Sequence, residues 1–210
     1  MRPTTARVAL VALVAGGAIA AAVAVRTGPD DVVALADRSD RDATGSVEVP
    51  PELPVLAASA PAVEAAGWLN TDPLTAEDLA GRVVLYEFWT FGCVNCRNVL
   101  PHVRAWHERY AEEGLVVLSV HTPEFPYERD PEAVARFVEE EAIRYPVALD
   151  PDKRTWRAFE NRYWPAFYLH DADGRRRLVH FGEGAYEETE DAIRALLDVP
   201  AEAPRAEVVE

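Results

Sequence analysis

Seven consecutive residues, Val83-Val84-Leu85-Tyr86-Glu87-Phe88-Trp89, are apolar on both faces of an extended chain, with Glu87 as the one charged interruption. A strand of this kind needs cover on both sides, which helices over a parallel sheet provide and an open antiparallel sheet does not. Six residues beyond Trp89 a different period begins. Val99, Val103, Trp106 and Tyr110 recur at three or four, predicting a helix over Asn95 to Glu112.

Strand and helix signals continue to alternate downstream. Leu115 to Val120 reads as a second apolar strand, Pro131 to Glu141 as a helix opened by proline, and Tyr145 to Leu149 as a short strand. A helix near Arg154 to Glu160 follows, then a strand at Phe167 to His170 and the turn Asp171-Ala-Asp-Gly174. Leu178 to Phe181 returns antiparallel, and Glu187 to Leu197 is a helix with Ala192, Ile193, Leu196 and Leu197 on one face. The order predicts an α/β fold with a mixed central sheet flanked by helices in three layers.

Composition removes several functions. Twenty-one Lys and Arg against 36 Asp and Glu give a net charge of -15, which argues against nucleic acid or anionic lipid headgroups as the main partner. Two cysteines are too few for a disulfide-stapled scaffold or a four-thiolate zinc site, so the fold rests on its core.

The first 26 residues stand apart from that core. Arg2 and Arg7 precede the uncharged run Val8 to Val25, 18 residues that end at Arg26. As a helix the run would span roughly 27 Å, close to the hydrocarbon thickness of a bilayer. The expectation is a single membrane anchor with the rest of the chain on the extracytoplasmic side. The alternative is a signal peptide cleaved after Ala20-Ala21-Ala22 or Ala22-Val23-Ala24, which would leave a secreted protein. Residues 27 to 66, with Pro50, Pro51, Pro54 and Pro61 and no sustained period, read as a flexible linker. The domain is expected over 67–198 and a loose tail over 199–210.

Cys93-Val94-Asn95-Cys96 lies where the buried strand gives way to the helix. A thiol at a helix N-terminus faces unpaired backbone N–H groups and the positive end of the dipole, so its thiolate is stabilised. Cys93 is the expected nucleophile; Cys96, about one turn inward, is placed to resolve a mixed disulfide. The competing reading is a static bridge, though so short a loop gains little chain entropy from closure. His102 and His107, six and eleven residues past Cys96, read as surface or packing histidines rather than metal ligands. No metal or bound cofactor is called for. Pro101 reads as a kink in the helix, and Asp171 with Asp173 as turn residues.

The stretch Phe88-Trp89-Thr90-Phe91-Gly92-Cys93-Val94-Asn95-Cys96 followed by Pro101 resembles the active site of thioredoxin-fold proteins. More narrowly it is similar to the exported TlpA and ResA-like group, above all to the thioredoxin-like domain of DipZ-type membrane proteins. The likeness spans roughly residues 67 to 197, including Gly67-Trp68-Leu69-Asn70, Arg104 to Tyr110, His121-Thr122-Pro123-Glu124-Phe125 and Gly182-Glu183-Gly184. Between Thr122 and Leu149 an extra helix and strand interrupt the minimal thioredoxin order, as in that group. Gly92 departs from it, standing where many thioredoxins have tryptophan, and the membrane-spanning transporter half has no counterpart in these residues.

The resemblance implies an exported thiol:disulfide oxidoreductase that reduces disulfides of exported proteins or assists cytochrome c maturation. Its electrons would come from a membrane donor of the CcdA or DipZ type. Glu87 matches the buried acid of thioredoxins; desolvated in its strand, it would exchange the Cys96 proton as a general acid or base. Pro165 matches the cis-proline of the family's substrate loop, and Trp164 would flank the groove or simply pack in the core. Two other readings remain. Thr90-Phe-Gly-Cys93 has the spacing of a peroxidatic thiol, and a non-catalytic copper-binding or scaffold protein would share the fold.

Overall fold

The computed structural model describes residues 52–209, so the proposed anchor or signal of residues 1–26, the linker as far as residue 51, and Glu210 lie outside the described residues. Among the described residues no helix is long and apolar enough to cross a membrane.

The described residues form six strands and five helices: β1 Gly67–Leu69, α1 Ala76–Leu79, β2 Val83–Trp89, α2 Val94–Tyr110, β3 Leu115–His121, α3 Pro131–Glu140, β4 Val147–Leu149, α4 Arg154–Ala158, β5 Ala166–His170, β6 Arg176–Phe181 and α5 Tyr186–Leu196. A 3₁₀ turn at Pro126–Arg129 precedes α3. The sheet runs β1-β4-β3-β2-β5-β6. Strands β2, β3 and β4 are parallel, while β1, β5 and β6 join antiparallel. The mixed three-layer architecture agrees with the pattern of the sequence.

All seven residues of β2 are buried, as a central strand covered on both faces requires. Alternation sends Leu85 and Trp89 into one cluster with Val99, Val103 and Trp106 of α2, Phe137 of α3 and Ile193 of α5. It sends Val84, Tyr86 and Phe88 into the other, with Trp156 of α4, Phe159 and Tyr168. Glu87 therefore belongs by period to the face that receives α2. That helix continues through Pro101.

The flanking segments differ from expectation. Residues 52–66 lie against the sheet instead of linking freely. Leu56 N–H donates to Arg176 O and Arg176 N–H to Ala57 O, at 2.7 and 2.9 Å, covering the outer edge of β6. Glu64 exchanges hydrogen bonds with the Thr155 hydroxyl, and Ala66 N–H donates to Leu149 O. The pairing there is a single antiparallel bridge between Ala57 and Arg176. The C-terminal segment is also held: the Arg194 guanidinium donates to the carbonyls of Pro200, Ala201, Ala203 and Pro204, and Ala206 N–H donates to Glu190. Neither segment has a periodic signal, because each is fixed by backbone groups meeting arginines and a strand edge.

Candidate active site

Strand β2 delivers the chain to the site. Beyond Trp89 the backbone turns through Thr90, Phe91 and Gly92, closed by Cys93 N–H to Thr90 O at 3.2 Å, and α2 begins. Cys93 is the N-cap of α2: its sulfur accepts the Cys96 N–H at 3.2 Å. One of the orphan donors of the first turn is thus directed at the sulfur expected to carry charge.

Cys93 and Cys96 form a disulfide, with Cα atoms 5.2 Å apart. The two sulfurs differ in access. Cys96 is 3% exposed and sits in the core cluster with Val99 and Leu100, whereas Cys93 is only half-buried. Val94, the first helical residue, is 68% exposed.

Glu87 is buried, paired across to Ser119 of β3, whose hydroxyl donates to Oε2 at 2.9 Å. Desolvation pushes its pKa up to about 7 against that bond. Its charge also contributes, after desolvation, to holding the Tyr145 phenol well above the ordinary value.

The Trp164–Pro165 peptide is cis. Pro165 enters β5, whose Ala166 pairs with Phe88 of β2, and Pro165 O accepts the Gly182 N–H at 2.9 Å. From the next loop Glu183 accepts from Asn98 of α2 at 3.2 Å, drawing residues 182–184 to the start of that helix. Trp164 is half-buried. Its indole N–H donates to Thr122 O at 2.9 Å, its ring lies 4.1 Å from Trp156, and the Lys153 ammonium stands 4.6 Å from the ring centroid. These contacts commit Trp164 to holding the loop.

Thr90 is fully buried, and its hydroxyl meets His121 Nε2 at 3.2 Å. The His121 imidazole, desolvated, has a pKa lowered to about 4, and it stacks on Phe91 with ring centroids 5.7 Å apart. Glu128 of the 3₁₀ turn is 1% exposed, and its Oε2 accepts the N–H groups of Glu124 and Phe125 at 2.6 and 2.9 Å. A Cβ built on Gly92 would overlap Glu128 Oε1 and the Tyr127 hydroxyl. The departure from tryptophan at position 92 follows, since this loop already fills the space. The sequence reading missed His121 and Glu128. The only signal was a charged residue within an aromatic, proline-rich segment, which is an ordinary loop composition.

His102 stacks on Tyr186 with centroids 3.6 Å apart, and His107 lies edge-on to Tyr145 at 5.5 Å. Asp171 accepts from the N–H of Asp173 and of Arg175 and pairs with the guanidinium of Arg177 at 2.8 Å, so the turn reading of that acid pair holds. Among the described residues no group of three or more His, Cys, Asp or Glu is disposed to hold a metal ion.

Residues 56–178 match the AhpC/TSA family. Protein DipZ of Mycobacterium bovis is 47% identical over 135 residues, which is 63% of this chain and 19% of DipZ, so the chain spans about a fifth of that relative's length. The thiol-disulfide oxidoreductase YkuV of Bacillus subtilis is 31% identical over 131 residues, 62% of this chain and 87% of YkuV. Among solved structures, a thioredoxin-like protein in the oxidised form superimposes with a TM-score of 0.62 at 29% identity, covering 68% of this chain and 96% of that one.

Proposed function

The chain belongs to the AhpC/TSA family and has the thioredoxin-like fold, and from that premise we propose that it is a thiol-disulfide oxidoreductase, an exported, membrane-tethered reductant working through Cys93 and Cys96. The observation that carries the reading is the division between the sulfurs: Cys93 caps α2 and is half-buried, while Cys96 is buried beneath it.

In the reduced state the Cys93 thiolate attacks one sulfur of a substrate disulfide. A mixed disulfide forms and the substrate's other sulfur leaves as thiolate. Cys96 then gives up its proton, attacks Cys93 Sγ, and expels the second substrate thiolate. Two electrons pass to the substrate and the Cys93–Cys96 bridge remains. Glu87, with a pKa of about 7, is the group we assign to accept the Cys96 proton on resolution and return it on reduction. Pro165 and Trp164 form the substrate loop in this reading, Pro165 against the substrate backbone and Trp164 as its support.

Residues 8–25 serve as the anchor, or as a cleaved signal in the secreted alternative. The substrates are disulfides of exported proteins, apocytochrome cysteines among them. Re-reduction comes from a membrane thiol donor, a role suggested by the similarity to DipZ.

The test is trapping. Cys96→Ser is expected to accumulate mixed disulfides with exported proteins and to lose insulin disulfide reduction. Cys93→Ser should trap nothing. Equal trapping by both variants would remove the assignment of attack to Cys93.

A further inference from the structure

Glu128 is a buried acid beside the dithiol that the exchange steps above leave unused. Its Oε2 is committed to two backbone N–H groups, but Oε1 is buried and has no partner. That free oxygen lies, with the Tyr127 hydroxyl, in the space a side chain on Gly92 would fill. Gly92 is bonded to Cys93, so covalent geometry keeps Oε1 within about 10 Å of the Cys93 sulfur.

The nearby charges leave this carboxylate uncompensated. Arg129, next in sequence, lines the same cavity as Glu128 but is paired with Asp152 at 3.7 Å, and Arg97 of α2 is paired with Glu141 at 3.3 Å. His121 lines the same cavity of about 230 Å³ as Glu128, and its desolvated imidazole, with a pKa of about 4, is neutral at physiological pH. Tyr127 and Glu124 complete the titratable groups of the loop; the Tyr127 phenol is held above its ordinary value by desolvation first and then by Glu128. Cys93 itself caps the N-terminus of α2, whose field has the contrary sign.

We propose that Glu128 sets the reducing power of the dithiol: its carboxylate repels the Cys93 thiolate but not the disulfide, so it disfavours the reduced form and makes the protein a stronger reductant. This rests on Cys93 being the exchanging thiol. Glu128 acts on the sulfur through space and touches no reacting atom. At about 10 Å and an effective dielectric of about 20, the repulsion is worth on the order of one pKa unit on Cys93, or tenfold in its ionisation.

The experiment compares full-length wild type, Glu128→Gln and Glu128→Asp. The amide keeps an acceptor for the Glu124 and Phe125 N–H groups while removing the charge. Gln is expected to lower the Cys93 ionisation midpoint, read by thiolate absorbance, by about one unit. Above that midpoint it should move the equilibrium with glutathione toward the dithiol by up to about tenfold, equivalent to about 30 mV more oxidising. Asp, which keeps the charge, should stay near wild type. A measurement on unmutated side chains covers the case in which Gln does not fold: the Glu128 carboxyl ¹³C resonance should shift as Cys93 ionises and should lose that step in Cys93→Ser. A folded Gln variant with wild-type thiol ionisation and glutathione equilibrium overturns the proposal, as does a carboxyl resonance blind to the thiol. If wild type itself exchanges no disulfides, the functional reading fails instead.

Discussion

The Thr90 hydroxyl and the His121 imidazole meet in the interior, Oγ1 to Nε2 at 3.2 Å, where Thr90 follows the last residue of β2 and His121 ends β3. Both are almost completely buried. The pair ties the turn ahead of Cys93 to the neighbouring strand, and it spends the hydroxyl that a peroxidatic Thr-x-x-Cys arrangement would aim at the thiolate. Stopped-flow mixing with hydrogen peroxide should therefore oxidise the reduced protein no faster than an ordinary thiolate of the same ionisation. Thr90→Val should leave that rate unchanged while leaving His121 Nε2 without a partner, at a cost of about 1–3 kcal/mol in urea unfolding. Fast peroxide turnover that disappears in Thr90→Val would restore the peroxidase reading.

Glu87 and His121 impose opposite pH dependences on stability. Burial holds the pKa of folded Glu87 at about 7, above the ordinary 4.5 of a glutamate. An acid raised in this way is tolerated while protonated, so the native state loses stability as pH rises from about 4.5 through about 7. His121 is lowered from 6.5 to about 4, so its contribution is full above 6.5 and is lost as pH falls toward 4. Glu87→Gln removes the first dependence alone. Relative to wild type, it should gain stability between pH 5 and pH 8, by an amount on the order of 3 kcal/mol at most. Disulfide exchange at pH 7 should slow in the same variant if Glu87 carries the Cys96 proton. Urea midpoints across that range, beside an insulin-reduction rate, separate the two effects; a wild-type pH profile of stability in Glu87→Gln would show that the carboxyl stays charged in its strand.

What the sequence made legible follows from how each element is specified. Strand β2 and helix α2 were readable because burial on both faces and on one stripe are periodic demands, and they fix Cys93 at the strand-to-helix junction without knowledge of any partner. Glu87 was readable for the same reason, as a charge in a position that period assigns to the core. Glu128 was not, since it lies in a 3₁₀ turn whose position beside Gly92 is set by the fold. Gly92 looked like a departure from a family habit, although its lack of a side chain is the counterpart of Glu128 and Tyr127. Strand β1, three residues long, carries too little pattern to register, and it exists because β4 offers it an edge.

Arg177 explains why the domain begins earlier than periodicity suggests. Its side chain is 9% exposed and pairs with Asp171, 8% exposed, at 2.8 Å, while its Nε and Nη2 atoms donate to the carbonyls of Leu53 and Pro54. A chain beginning at Gly67 would strip these acceptors from a buried cation and uncover the β6 edge bridged by Leu56 and Ala57. Hydrogen bonds to a charged donor contribute about 1.5–3 kcal/mol. A chain starting at Gly67 should therefore have an unfolding free energy in urea titration lower by at least that amount than one starting at Glu52, and its exposed edge should favour self-association. Arg177→Met in the longer chain separates the two losses: it removes the cation's demand but keeps the edge covered, so it should cost less than the truncation and remain monomeric. Equal stability of the two chain lengths would mean that residues 52–66 rest on the sheet without supporting it.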